Sequence, residues 1–351
     1  MSTTAALPDP VPSLEDLLEQ ARHRIEVTDP ELDEARKRRN AIAAALRQEF
    51  PGCRIYFNGS LAHGDALTPL VDIDLGVVVP DPQHRHGPGG RGPRELQDRA
   101  AEAIRAGLKP LYGDLRVEVE GRKRSVLVRF RDPVRPGWAD FTADVIVAID
   151  NPGLPGLFIP RYDTWDRSHP EKHTDLVLAA IERTKVSFPR AIRLLKHWAR
   201  HLNEPPLCSW HIKALALDCF TRPTTMLDAL QVWFTYAAEA LNQGDTPDPA
   251  HVGPGIKTPQ SRQETVRQLA AAARQLQEAI TLEREGWHVL AHEELAKLFG
   301  DPEMLPRPAL SVVRAEEAAR LRARSVDDRR RALSSVTTGS AARPAVRSWA
   351  P

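Results

Sequence analysis

Residues 59–79 read GSLAHGDALTPLVDIDLGVVV. The segment 71–79, VDIDLGVVV, is rich in β-branched residues and predicts a buried strand. Two aspartates interrupt it, Asp72 and Asp74, and side chains two apart on a strand share a face. They project together, then, while Ile73 is directed into the core on the opposite side. Adjacent ionised carboxylates repel each other, and burying them is costly unless they are paired or bind a metal. Divalent cations supply that compensation, since Mg²⁺ takes one or two protein carboxylates together with substrate phosphate oxygens. Two such ions, about 3.5–4 Å apart, serve the attacking and the leaving oxygen of a phosphoryl-type transfer.

A site of this kind needs one more carboxylate. TADVIVAID (142–150) reads as a neighbouring strand, and Asp144, which opens its apolar DVIVAI run, is the best candidate. Asp140 and Asp150 flank the same segment and stand as alternatives nearer its ends. Eleven residues separate the Gly59-Ser60 pair from Asp72. A glycine lets backbone approach a phosphate closely, a helix start offers free N–H groups, and the Ser60 hydroxyl adds a donor. Gly64 lets the chain turn toward the acidic strand.

Working outward, Ser13 with Glu15 and Asp16 marks a helix start, and that helix runs to about Glu26. Asp29-Pro30-Glu31 begins a charged helix that stops near Phe50, before Pro51-Gly52. RIYFN (54–58) is a short strand, 60–67 a helical turn, and the Gly/Pro-dense stretch 80–93 an exposed loop. A helix is expected over 93–107, and strands over 116–121 and 125–130 form a hairpin around Gly121-Arg122. From about residue 171 helical periodicity takes over, at 171–185, 188–202, 209–221, 224–242, 262–284 and 288–299, with a loop at 243–260. The segment 314–333 carries seven arginines against four acids and reads as a solvated, salt-bridged helix. The expected organisation is N-terminal bracing helices (1–53), an α/β core (54–165), a helical lobe (166–310) and an Arg/Ala-rich helix with a flexible tail (311–351).

The totals narrow the partners. Among 351 residues, Lys and Arg number 48 and Asp and Glu 47, so no broad basic excess grips a long nucleic acid. Small substrates are favoured, with room for a locally basic cleft. Three scattered cysteines, Cys53, Cys208 and Cys219, make neither a disulfide framework nor a zinc-finger spacing and suit a reducing compartment. The start of the chain has no secretory pattern and no apolar run reaches membrane length, so a cytoplasmic protein is expected.

At these residues the chain resembles the DNA polymerase β-like nucleotidyltransferases. Within them it is similar to the cyclic GMP–AMP synthase-like branch (CD-NTases), which includes oligoadenylate synthase and bacterial relatives. GSLAHGDALTPLVDIDLGVVV matches that family's Gly-Ser to Asp-x-Asp segment, and TADVIVAID its third-acid strand. RAIRLLKHWARHL (190–202) and CSWHIKALALDCF (208–220) are similar to its paired helices after the catalytic core. The resemblance implies that Lys196 and Ser209 grip the triphosphate and that Trp210 stacks on a base. The plainer alternatives are a snorkelling surface lysine for Lys196, an N-cap for Ser209 that can coexist with the other role, and a filler of the interlobe core for Trp210. Asp65 departs from the small hydroxyl residue that relatives often carry. Nothing resembles the zinc ribbon of the DNA-sensing relative. His84 and His86, or His169 and His173, have ligand-like spacing but read as solvent-loop histidines.

The resemblance implies an α+β fold, a polymerase β-like core with a mixed sheet plus a C-terminal helical lobe, with the active site in the cleft between them. It implies an enzyme that uses two Mg²⁺ ions, or Mn²⁺ in their place, to condense nucleoside triphosphates into cyclic or short linear oligonucleotides. Such products activate a separate effector protein in bacterial anti-phage defence. The alternatives are transfer to an RNA 3′ end or another hydroxyl, and a catalytically silent nucleotide-binding protein.

Overall fold

The computed structural model describes residues 11–337. The expected tail, 338–351, and the first ten residues lie outside that range. No helix among the described residues is long and apolar enough to cross a membrane.

The first lobe is built on a mixed sheet of β1 (Arg54–Asn58), β2 (Asp72–Val79), β3 (Arg116–Glu118), β4 (Ser125–Arg129), β5 (Thr142–Asp150), β6 (Leu157–Arg161) and β7 (Thr164–Ser168). Its order is β1-β2-β5-β4-β3, with the β6–β7 hairpin attached to the end of β5. The central pair, β2 and β5, is parallel, and every other pairing is antiparallel. Parallel central strands are buried on both faces, which accounts for the continuous apolar runs GVVV and VIVAI. Gly76 is required within β2 because the ring of Tyr56, its partner on β1, occupies the space a Cβ would take.

Helices α2 (Asp29–Glu49) and α4 (Arg94–Leu108) cover one face of the sheet. Ile42, Leu46 and Ile104 pack there against Ile73, Leu75, Val77, Val145 and Val147. A short helix, α3 (Gly59–Ala62), links β1 to the loop that leads into β2, a single turn where 60–67 was expected. Glu31, fully buried, fixes that loop. Its carboxylate caps α2 through Thr28 and accepts from the Thr68 hydroxyl at 2.9 Å and the Leu70 N–H at 3.0 Å.

The second lobe is all-helical: α5 (Pro170–Thr184), α6 (Ser187–Arg200), α7 (Ser209–Cys219), α8 (Met226–Gln243), α9 (Arg262–Arg284) and α10 (His288–Phe299). Its core centres on Trp198, Trp233 and Phe234, whose rings meet edge to face. Helix α1 (Leu14–Arg24) buries Leu14, Leu17, Leu18 and Ala21 in this core, so the two N-terminal helices divide between the lobes. Helix α11 (Leu310–Thr337) packs on the same lobe, where Val313 is buried, Arg320 pairs with Glu285 and Glu316 accepts from the Leu290 N–H at the start of α10.

The hairpin β6–β7 was not expected. Pro160 and the charged TWDRS run argue against strands, but β6 meets β5 only at Phe158 and Leu157. Pro160 lies beyond that short ladder, so its missing N–H leaves no gap there.

Candidate active site

Between the lobes lies a cleft of about 470 Å³, walled by β2 and α3 on one side and by α6, α7 and the 244–261 loop on the other. Asp72 and Asp74 line it, and Ile73 between them is buried in the sheet core as expected. The parallel register sets Asp144 directly beside Asp74. Burial, and then the charges of Asp72 and Asp144, push the Asp74 carboxyl up to about 6. A carboxylate in that state is electrostatically unsatisfied, and the addition of a cation relieves it.

Gly59 and Asp74 are packed together closely. Gly59 has φ +74°, and a Cβ built on it would lie 1.8 Å from an Asp74 carboxylate oxygen. Glycine is therefore needed to let the acid stand beside the start of α3, a stronger reason than close approach to a phosphate alone. Ser60 follows in the first turn of α3 and lines the cleft.

Asp144 departs from the expected convergence. Its carboxylate accepts from the Ser125 hydroxyl at 2.6 Å and lies 3.2 Å from Arg122 Nη2. Among the described residues, the group of three or more His, Cys, Asp or Glu side chains with ligand atoms within 4.8 Å of one another is elsewhere, at His197, His201 and Asp301. The three aspartates thus share one face of the β2–β5 pair without closing to ligand spacing. Asp72 and Asp74 have the oxygen chemistry a divalent cation takes, and Asp144, held by Ser125 and Arg122, stands beside them on the neighbouring strand. Asp150 points elsewhere and pairs with Arg54, and Asp140 lies away from the cleft.

Lys196 is not a surface lysine. It is buried, its Nζ donates to the Asp65 carbonyl at 2.7 Å and carboxylate at 2.9 Å, and burial lowers its pKa. A second lysine, Lys213, holds the other Asp65 oxygen at 3.1 Å and donates to His63 Nδ1 at 2.8 Å. Burial, and then Lys213, push His63 down to about 3, so it is neutral. Two ammonium groups thus share one carboxylate, and the cluster presents a net positive charge to the cleft. Asp65, the departure noted in the sequence, is the counter-ion that holds both lysines in place. The sequence reading missed Lys213. Its signal was the i, i+4 spacing from Ser209, which puts both on one face of α7.

Cys208, not Ser209, is the N-cap of α7. Ser209 is the first helical residue and lines the cleft, beside N–H groups that no side chain caps. Trp210 packs on the helical core with one part and lines the cleft with another. Its ring lies 4.5 Å from that of His173. His169 and His173 are not loop histidines. His169 caps α5, and His173 is buried with its Nε2 2.6 Å from Asp248. Asp248 in turn accepts the N–H groups of Val252 and Gly253, which sets the loop Gly253–Ile256 over the cleft. Five cationic side chains, Arg124, Arg167, Lys196, Arg200 and Lys213, line the cleft against three carboxylates, which makes it locally basic in a nearly neutral chain.

No protein-family model matches the sequence, and no curated protein matches it. Solved structures do. CdnC of Escherichia coli MS115-1 with ATP aligns with TM-score 0.62 at 18% identity, over 83% of this chain and 99% of that one. The Bradyrhizobium diazoefficiens CD-NTase CdnG in complex with GTP gives TM-score 0.62 at 16% identity, over 84% and 98%. Vibrio cholerae DncV, a cyclic AMP-GMP synthase, gives TM-score 0.52 at 12% identity, over 81% and 85%. The chain has the CD-NTase fold. At these identities the CD-NTase likeness is one of architecture, in which the mixed sheet, the helical lobe and the cleft between them are common to the set.

Proposed function

We propose that this chain is a divalent-cation-dependent nucleotidyltransferase that condenses nucleoside triphosphates into cyclic or short linear oligonucleotides. The observation that carries the proposal is the Asp72/Asp74 pair on one wall of a basic interlobe cleft, with Asp74 held in an unsatisfied state beside Asp144. Mg²⁺, or Mn²⁺ in its place, is the cation these oxygens suit, and when bound it neutralises phosphate charge and acidifies an attacking ribose hydroxyl.

The residues of the chain divide the remaining work. The Ser60 hydroxyl and the free N–H groups of α3 donate to phosphate oxygens, and Ser209 and the start of α7 do so from the opposite wall. The Lys196–Asp65–Lys213 cluster attracts the triphosphate without a mobile side chain having to be ordered. Arg200 adds a cation that is free to reach out. Trp210, braced by His173, offers a face to a base, and stacking of this kind is worth about 1–3 kcal/mol and tolerates any base. The Gly253–Ile256 loop excludes water above. In-line attack on an α-phosphate with departure of pyrophosphate, repeated two or three times, yields the product. Its proposed fate is to activate a separate effector protein in anti-phage signalling in the cytoplasm, on the strength of the shared fold.

Incubation with the four nucleoside triphosphates and Mg²⁺, followed by phosphatase treatment and mass analysis, tests the proposal. Phosphatase-resistant products are expected from the wild type and none from Asp72→Ala/Asp74→Ala with the fold intact. Equal turnover by that double variant overturns it. Product formed only when RNA or another hydroxyl acceptor is added would move the assignment to terminal transfer.

A further inference from the structure

We propose that His197, His201 and Asp301 form a second metal site, for Zn²⁺ or a similar transition metal, on the helical lobe outside the catalytic cleft. His197 and His201 stand at i and i+4 on α6, so they share a face, and their rings stack with centroids 4.1 Å apart. Asp301 follows Gly300, whose left-handed backbone (φ +67°) ends α10 and turns the chain toward α6. One carboxylate oxygen, Oδ2, lies 2.8 Å from His197 Nε2 and 3.4 Å from His201 Nε2. Ligands at about 2.0–2.2 Å around a tetrahedral ion are roughly 3.3 Å from one another, so small adjustments seat the metal.

Protonation points the same way. His201 Nδ1 lies 3.0 Å from the His197 carbonyl oxygen, which can only accept, so Nδ1 carries a proton. That leaves Nε2, the ring nitrogen facing the Asp301 carboxylate, as the one available to a metal ion between them. The other Asp301 oxygen accepts from the Glu303 N–H at 2.9 Å, which orients the carboxylate from behind. His197 is 8% exposed and the Asp301 side chain 14%, whereas the His201 side chain is 37% exposed, which leaves an open position on the solvent side. Two imidazoles and one carboxylate favour Zn²⁺, Co²⁺ or Ni²⁺ over Mg²⁺. The metal would join the last turn of α6 to the connection after α10. Lys196 and Arg200, on the adjoining face of that turn, line the cleft, so the ion would also steady the cleft wall.

The test uses the full chain, its affinity tag removed, dialysed against EDTA and titrated with ZnCl₂ in the presence of excess Mg²⁺ and a chromophoric competitor. One Zn²⁺ per chain is expected for the wild type and for Asp72→Ala/Asp74→Ala, with a rise in Tm. At least tenfold weaker binding and no rise in Tm are expected for His201→Ala and Asp301→Asn, with circular dichroism checking that each is folded. Absence of stoichiometric binding in the wild type, or unchanged affinity in both ligand variants, overturns the site and reduces the cluster to a His–Asp ion pair. Retention of zinc by the double aspartate variant keeps this outcome separate from that of the catalytic proposal.

Discussion

Replacement of Gly59 by alanine puts the packing argument at the active site to a quantitative test. The added Cβ would lie 1.8 Å from Asp74 Oδ2 and 2.7 Å from Cγ, and ordinary contact begins at about 3.4 Å, so the carboxylate must retreat by about 1.6 Å. The left-handed backbone adds a cost of about 1–2 kcal/mol for any residue with a Cβ. Spread over a chain of this length, with an unfolding entropy of about 2.1 cal/mol/K per residue, that penalty lowers Tm by only about 1–3 °C. Misplacement of a reacting group by about 1 Å can cost 10²-fold in rate, so turnover should fall by about that factor or more. The assay is oligonucleotide production per enzyme at saturating triphosphate, with a melting curve on the same sample. Because an Asp74→Ala background leaves no turnover to compare, the double variant is read by Tm alone, and Gly59→Ala should cost no more there than the backbone penalty. Full turnover in the single variant would refute the claim that Gly59 positions Asp74.

Two further outcomes follow from the charges around the cleft. Asp74 has a folded pKa raised from 3.8 to about 6, so between those values the folded state binds more protons and stability falls as pH rises. In the absence of divalent ions Asp74→Asn should raise Tm more at pH 8 than at pH 5, and an equal effect at both would contradict the shift. Asp65→Ala leaves the ammonium groups of Lys196 and Lys213 buried with no counter-ion, and breaking such a network costs about 3–5 kcal/mol. Denaturant unfolding should show that loss, with partial recovery when Lys213→Met is added.

The architecture was readable where local chemistry and tertiary need agree. Two aspartates within a β-branched run are hard to explain except as a shared polar face, and the helical lobe repeats apolar residues at helical spacing throughout. The hairpin 157–168 escaped because Pro160 and the charges of TWDRS argue against strands, and only the short contact with β5 makes room for them. The Asp65 cluster escaped for another reason: its lysines are 131 and 148 residues away in the chain, and nothing local marks a lysine as buried. The same holds for His173, whose partner Asp248 lies 75 residues on. The pair His197/His201 was present in plain spacing and was passed over within a segment read for its lysine.

The division of α1 and α2 between the lobes has a mechanical corollary. The backbone passes between the two bodies first through Ile25–Thr28 and again where β7 leads into α5. The first passage is pinned: Thr68 N–H bonds the Ile25 carbonyl at 3.1 Å, and Arg193 ties Glu26 at 2.9 Å and the Gly64 carbonyl at 2.7 Å. Two covalent strands at separate places restrict any opening to rotation about the line that joins them. On the proposed function, a rotation about that line would widen the cleft most at the rim farthest from it, where nucleotide would enter and product leave, and least beside the acids and the Asp65 cluster.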